Sequence, residues 1–201
     1  MKLKEVSPNI FHISFKSMRK MCKTMLRFQE HYESPKFKDK IFSLKEFKEW
    51  YRTQSKTGKF TYYSDWAGFN IPSYVFKPFL DGKFKRLTKD EKQILNLVKK
   101  LKEPYYVITS VSSDHVSLEH EMVHGLYYVN EKYRNKVDDI IGELNTSKQK
   151  KALKKQGYHK SVFVDEINAY SVVGPDERFC IEDEVALKKL SKLYKKYGSK
   201  K

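Results

Sequence analysis

Apolar residues along this chain recur mostly at helical spacing, and at strand spacing in only a few places. Met18, Met21, Cys22, Met25, Leu26 and Phe28 give one apolar face to residues 16–32, a predicted helix that Pro35 ends. Phe47, Trp50 and Tyr51 anchor a second helix over 44–52. Ser43 opens it with Glu46 three positions on, the pattern of a capping box. Thr88 with Glu91 repeats that pattern ahead of a helix running to about residue 101, with Ile94, Leu95, Leu97 and Val98 inside. A short helix is predicted up to Phe79, before the Asp81-Gly82 turn. Further helices are predicted over 133–144, over a basic stretch from Ser147 to Gly157, over 161–173 before Gly174-Pro175, and over 182–197.

Strand signals are fewer. Residues 105–111 are β-branched and aromatic and form the best predicted strand. Residues 60–63 read as a short strand, and residues 1–14 as a short strand or an arm. Residues 65–72 read as a structured loop, either lining a substrate pocket or pinned to the core by Trp66 and Phe69. No repeat, long linker or low-complexity boundary interrupts the chain. The expectation is one α+β domain over 1–201, mostly helical, with a small sheet packed beside the helix described next. Residues 1–102 would be its helical N-terminal half, and 103–175 the core of its site.

The candidate chemistry lies just after the best strand. Residues 118–125 read Leu-Glu-His-Glu-Met-Val-His-Gly and contain His-Glu-x-x-His. On a helix, His120 and His124 stand one turn apart on one face, where both imidazoles can reach one metal ion. Glu121 sits about 100° round from His120. From there it can flank a metal without ligating it, the place for a general base that takes a proton from water. Leu118, Met122, Gly125, Leu126 and Val129 form an apolar stripe behind, and Ser117 or Asp114 can cap the start. Gly125 is costly inside a helix and predicts the close approach of another element.

A catalytic zinc commonly takes three protein ligands and leaves one position open. Glu143, His159, Asp165 and Glu166 are the downstream candidates for the third, and Glu166 is favoured. It belongs to an acidic pair in the middle of a predicted helix with apolar surface from Val162, Phe163, Ile167 and Ala169. Such a pair needs a partner, and a metal supplies one. Tyr170, one turn on, would face the same way and can donate to a developing oxyanion; Tyr158 and His159 are alternatives for that role.

Composition changes the picture in two ways. The chain has 201 residues, 13 Phe and 14 Tyr, enough for a sizeable core rich in aromatic rings. Its 41 Lys+Arg against 25 Asp+Glu leave a formal charge of +16, which permits attraction to nucleic acid or other acidic partners. Most of that charge is lysine spread along the chain, as on solvated helix faces. Cys22 and Cys180 stand far apart and suggest idle thiols in a reducing compartment. No secretory signal and no membrane-length apolar run is present, so a soluble cytoplasmic protein without a membrane role is expected.

With these residues in view, the chain resembles the zincin metallopeptidases, of the gluzincin type, whose third ligand is a Glu on a later helix. The resemblance implies zinc held by His120, His124 and Glu166, Glu121 as general base, and a peptide or protein substrate. It covers the motif helix, the strand before it and the later helix. The first 100 residues match no protease pattern. Glu166 lies 42 positions after His124, further than in thermolysin-like enzymes, and their Asn-Glu pair is absent. Tyr127 and Asn130 stand where the extended metzincin motif has Gly and a third His. Residues 119–126 also look like the motif helix of SprT-like DNA-associated proteases, although the downstream His-Gly segment and zinc ribbon of that group are absent. In the zincin reading, the strand at 105–111 would hold an extended substrate by strand addition. The competing class is a basic module that binds nucleic acid or protein, with a non-catalytic metal site or none.

Overall fold

A computed structural model describes residues 1–111, 116–174 and 176–198. The chain is a mostly helical α+β protein with one four-stranded sheet. By packing it divides into two compact units, residues 1–4 with 11–114 and residues 5–10 with 115–201. The division at 114/115 falls after the strand at 105–111, so that strand belongs to the first unit and the His-Glu-x-x-His helix to the second.

The N-terminal residues form a pair of strands, β1 (Leu3–Ser7) and β2 (Ile10–Phe15), each with residues assigned to both units. The turn between them uses Asn9 at φ 61°, a backbone conformation that Asn tolerates better than most residues. Helix α1 (Met18–Glu33) follows, capped by Ser17, then α2 (Leu44–Gln54), whose Ser43–Glu46 capping box is complete. Residues 60–63 are not a strand: Tyr62–Ser64 form a 3-10 turn. Tyr62, nearly fully buried, packs edge-on against Phe47 there, and this packing outweighs its strand propensity.

The loop expected at 65–72 holds a strand instead, β3 (Gly68–Pro72), antiparallel to β4 (Tyr106–Val111) with Asn70 opposite Ile108. Gly and Asn hid it from a propensity argument. Gly68 is required by closeness, because a Cβ there would lie 2.9 Å from the Thr109 carbonyl oxygen. Phe69 enters the core as expected, whereas Trp66 stays 42% exposed. The strand order β1-β2-β4-β3 puts β4 inside the sheet. Both of its backbone edges are taken, so β4 cannot receive a substrate strand, and that expectation is corrected.

A 3-10 turn at Ser73–Phe76, the short α3 (Lys77–Leu80) and α4 (Lys89–Val98) complete the first unit. Its core is aromatic: Phe28 meets Phe76 and Phe79 at 5.1 and 4.4 Å, and Phe79 stacks flat on Phe84 at 3.7 Å. One ion pair crosses it. Arg27, 2% exposed, donates to both Glu91 carboxylate oxygens at 2.7 and 2.6 Å and to the Lys85 carbonyl at 3.2 Å. Glu91 also accepts from the Thr88 backbone N–H as the acidic half of its capping box. One carboxylate therefore starts α4 and neutralises a buried guanidinium on α1.

The second unit is helical: α5 (Val116–Val129), α6 (Glu131–Gly142), α7 (Ser147–Gln156), α8 (Phe163–Val173) and α9 (Glu184–Gly198). Helix α5 packs against α6, α8 and α9. Its most buried positions are Val123, His124, Gly125 and Leu126, a band round the helix rather than the single apolar stripe expected from Leu118, Met122 and Val129. Asp114, one of the two candidate caps of α5, lies outside the described residues, and Ser117 falls within the helix.

Removing one partner of the Arg27–Glu91 pair leaves a buried uncompensated charge. Glu91→Ala is expected to lower unfolding free energy by about 3–5 kcal/mol, read from urea denaturation. Arg27→Met with Glu91→Leu together is expected to recover most of that loss.

Candidate metal centre

The site is built on α5 and α8. Asn130 caps α6 directly after α5 ends, and Arg134 on α6 reaches back to donate to the Tyr127 and Tyr128 carbonyls at 3.1 and 3.2 Å. A cation on the last carbonyls of α5 satisfies acceptors the helix leaves open and suits its negative end. Tyr133, also on α6, donates to Asn168 Oδ1 of α8 at 3.2 Å, and both residues are fully buried. Helix α6 thus ties down both helices that carry the site.

His120 and His124 do face one another, one turn apart. Their Nε2 atoms are 3.1 Å apart and their rings are nearly perpendicular. Glu166 on α8 completes a group whose ligand atoms all lie within 4.8 Å of one another. Glu166 Oε2 is 3.8 Å from His124 Nε2. Two nitrogens bound to one tetrahedral zinc stand about 3.3 Å apart, from bond lengths near 2.0–2.1 Å. The separation found between the imidazoles fits that donor set with little adjustment.

Asp165, considered as a ligand, has a different place. Its Oδ2 accepts from His124 Nδ1 at 2.9 Å. This fixes the tautomer of His124 and leaves Nε2 pointing into the cluster, the arrangement that orients metal-binding imidazoles. Asp165 and Glu166 therefore straddle one ring, the first on Nδ1 and the second on the Nε2 side. Both lie in the first turn of α8, where the helix end favours negative charge.

The electrostatics favour positive charge at this cluster. Burial pulls the His124 pKa down, but the charge and hydrogen bond of Asp165, with Glu166 and Glu121, outweigh it and raise it to about 10. His120 moves the other way, to about 3, through burial first and then the charge on His124. The cluster holds one positive charge between two imidazoles and three carboxylates, and a metal ion would serve the same balance.

Tyr170, expected to face the cluster, stands beside His120. Its ring is 4.7 Å from the His120 ring and is backed by Phe179 at 4.6 Å. Tyr158 joins it, with hydroxyl oxygens 3.4 Å apart. Gly157 makes this possible: at φ 101° it ends α7 in a conformation L side chains avoid, and the reversed chain brings Tyr158 back. Burial raises the pKa of both phenols, so both are neutral O–H donors. Glu121 lies within electrostatic reach of His124, Tyr158 and Tyr170.

Two candidates are not brought in. His159 is exposed, and its Nδ1 is engaged by the Ser161 hydroxyl and N–H at 2.9 and 3.3 Å as the cap of a 3-10 turn. Glu143 is exposed at the C-terminal end of α6. Conversely, nothing in the sequence marked Arg134, Tyr133 or Asn168 as supports of the site. Their roles come from which helices pack together.

In comparison with known proteins, no family model matches the chain, and no curated protein or solved structure matches it. No helix among the described residues is long and apolar enough to cross a membrane.

Tyr133→Phe removes the hydroxyl that satisfies Asn168 and leaves a buried amide oxygen unpaired. The expected cost is about 1–3 kcal/mol, measured as a lower denaturation midpoint at an unchanged denaturant slope.

Proposed function

We propose that the second unit is a metal-dependent hydrolase, and within that class a zinc peptidase. The convergence of His120, His124 and Glu166 from two helices, with ligand atoms within 4.8 Å, carries the reading. His120 Nε2, His124 Nε2 and a Glu166 carboxylate oxygen would hold the ion. Bound zinc would supply Lewis acidity, acidifying water and polarising a carbonyl. Asp165 holds His124 in the ligating tautomer. Glu121 accepts the proton of the attacking water on its carboxylate and returns it to the leaving amine. The Tyr170 hydroxyl, oriented by Tyr158, donates to the oxygen that gains charge as the peptide carbonyl becomes tetrahedral. The reading fits an intracellular enzyme with reduced cysteines, both of them free here.

A second reading, a basic module for nucleic acid, draws on a groove of about 360 Å³ between α6 and α9 lined by Lys136, Lys189, Lys192 and Lys196. A salt-sensitive affinity for DNA or RNA in a protein free of zinc would favour it.

Purified protein is expected to carry about one zinc per chain, lost in His120→Ala and in Glu166→Ala. Asp165→Ala should weaken zinc by about 10–100-fold in a chelator competition. Glu121→Gln should keep the metal and lower peptide hydrolysis by about 10²–10⁴-fold. Undiminished hydrolysis by that variant would remove Glu121 from the mechanism.

A further inference from the structure

The first unit holds a second concentration of unusual groups, unrelated to the metal centre in sequence and chemistry. A cavity of about 290 Å³ opens beside the C-terminal half of α1, near the lower end of the size range of small-molecule sites. Its walls are the rings of Trp50, Tyr51, Tyr62 and Trp66, and its acidic groups are Glu30 and Glu33. The rings meet at steep angles rather than stacking. Tyr51 and Tyr62 stand at 81° with centroids 5.9 Å apart, and Tyr62 and Trp66 at 50° and 6.0 Å. The cavity wall is therefore largely aromatic.

Glu30 is the group that needs explaining. It is 7% exposed, and no lysine or arginine is among the residues lining the cavity, on a chain with 41 of them. No ion pair engages its carboxylate among the described residues. Its polar neighbours are the buried hydroxyls of Tyr62 and Ser34, which support the carboxylate but bring no positive charge. Burying a carboxylate without a cation is unfavourable, and burial accordingly raises the Glu30 pKa. Gln29 Oε1, also at the cavity, is a further buried acceptor without a partner. A site with a buried carboxylate, a buried amide oxygen without a partner, aromatic walls and no cation of its own is complementary to an organic cation.

We infer that this cavity binds an alkylated ammonium group, seated against the faces of Trp50, Tyr51, Tyr62 and Trp66 with its charge over the Glu30 carboxylate. The same chemistry is offered by a free quaternary amine and by a methylated lysine side chain on a peptide. A cation against such walls is attracted by the ring quadrupoles, and desolvation strengthens that attraction.

The chain's only two tryptophans both line the cavity, so intrinsic fluorescence reports on it directly. The full chain is titrated with choline, with its neutral isostere 3,3-dimethyl-1-butanol, and with a short peptide carrying trimethyl-lysine. A saturable response to choline or the peptide, with the neutral alcohol at least about tenfold weaker, is expected. A tighter peptide than choline assigns the cation to a protein partner, and the reverse order assigns it to a free amine. Glu30→Gln, which keeps shape and removes charge, should weaken binding by about tenfold or more. Trp66→Leu, at an exposed wall, should do likewise with Trp50 still reporting, and it serves as the test should Glu30→Gln not fold. Equal binding of the alcohol, wild-type affinity in the folded variants, or no saturable response to either cation would overturn the assignment.

Discussion

Everything at the candidate metal centre depends on how one imidazole is held. His124 is buried in the middle of α5, and burial alone would leave it neutral and free to choose its tautomer. The Asp165 carboxylate on its Nδ1 removes that choice. With Nδ1 committed, Nε2 has to face His120 and Glu166, and three donors converge. Because Asp165 and Glu166 are neighbours in the chain, one turn of α8 supplies both the partner of the His124 ring and the carboxylate that joins the two imidazoles. The position and tilt of α8 relative to α5 are then under tight constraint, which is what the Tyr133–Asn168 hydrogen bond and the Arg134 cap provide.

The two units treat buried charge in opposite ways. Arg27 and Glu91 are matched fork to fork, with the remaining acceptors and donors also used. That is a closed arrangement, and it serves the fold. The carboxylates around His120 and His124 exceed the positive charge the protein itself supplies. Glu30 has no protein cation at all among the described residues. Excess buried acceptors of this kind hold free energy that a cation can release on binding, which makes them markers of sites rather than of stability. On a chain of formal charge +16, the rarity of such acidic interiors makes them stand out further.

Local signals carried far along this chain where one interaction dominates a segment. Both capping boxes open their helices where Ser43–Glu46 and Thr88–Glu91 stand. Residues 106–111, dense in β-branched and aromatic side chains, form a strand. Signals failed where a distant partner decides. Tyr62 and its neighbours carry strand propensity but turn to bury a ring against Phe47. Gly68 to Pro72 carry turn residues but become a strand because β4 lies alongside. The band of burial round α5 at 123–126 also comes from surrounding helices, which no stripe on a single helix can report.

The sequence by itself determined the local facts: a mostly helical α+β chain, two imidazoles one turn apart with a glutamate between them, and an acidic pair on a later helix. These follow from chain geometry over a few residues, where spacing is structure. Tertiary packing alone decided which acidic residue joins the two imidazoles and which hydrogen-bonds a ring, that Tyr158 joins Tyr170 while His159 turns to solvent, and that Glu30 lines a cavity with aromatic walls. Those assignments depend on distances between groups tens of residues apart, and such distances are set by how helices and strands pack.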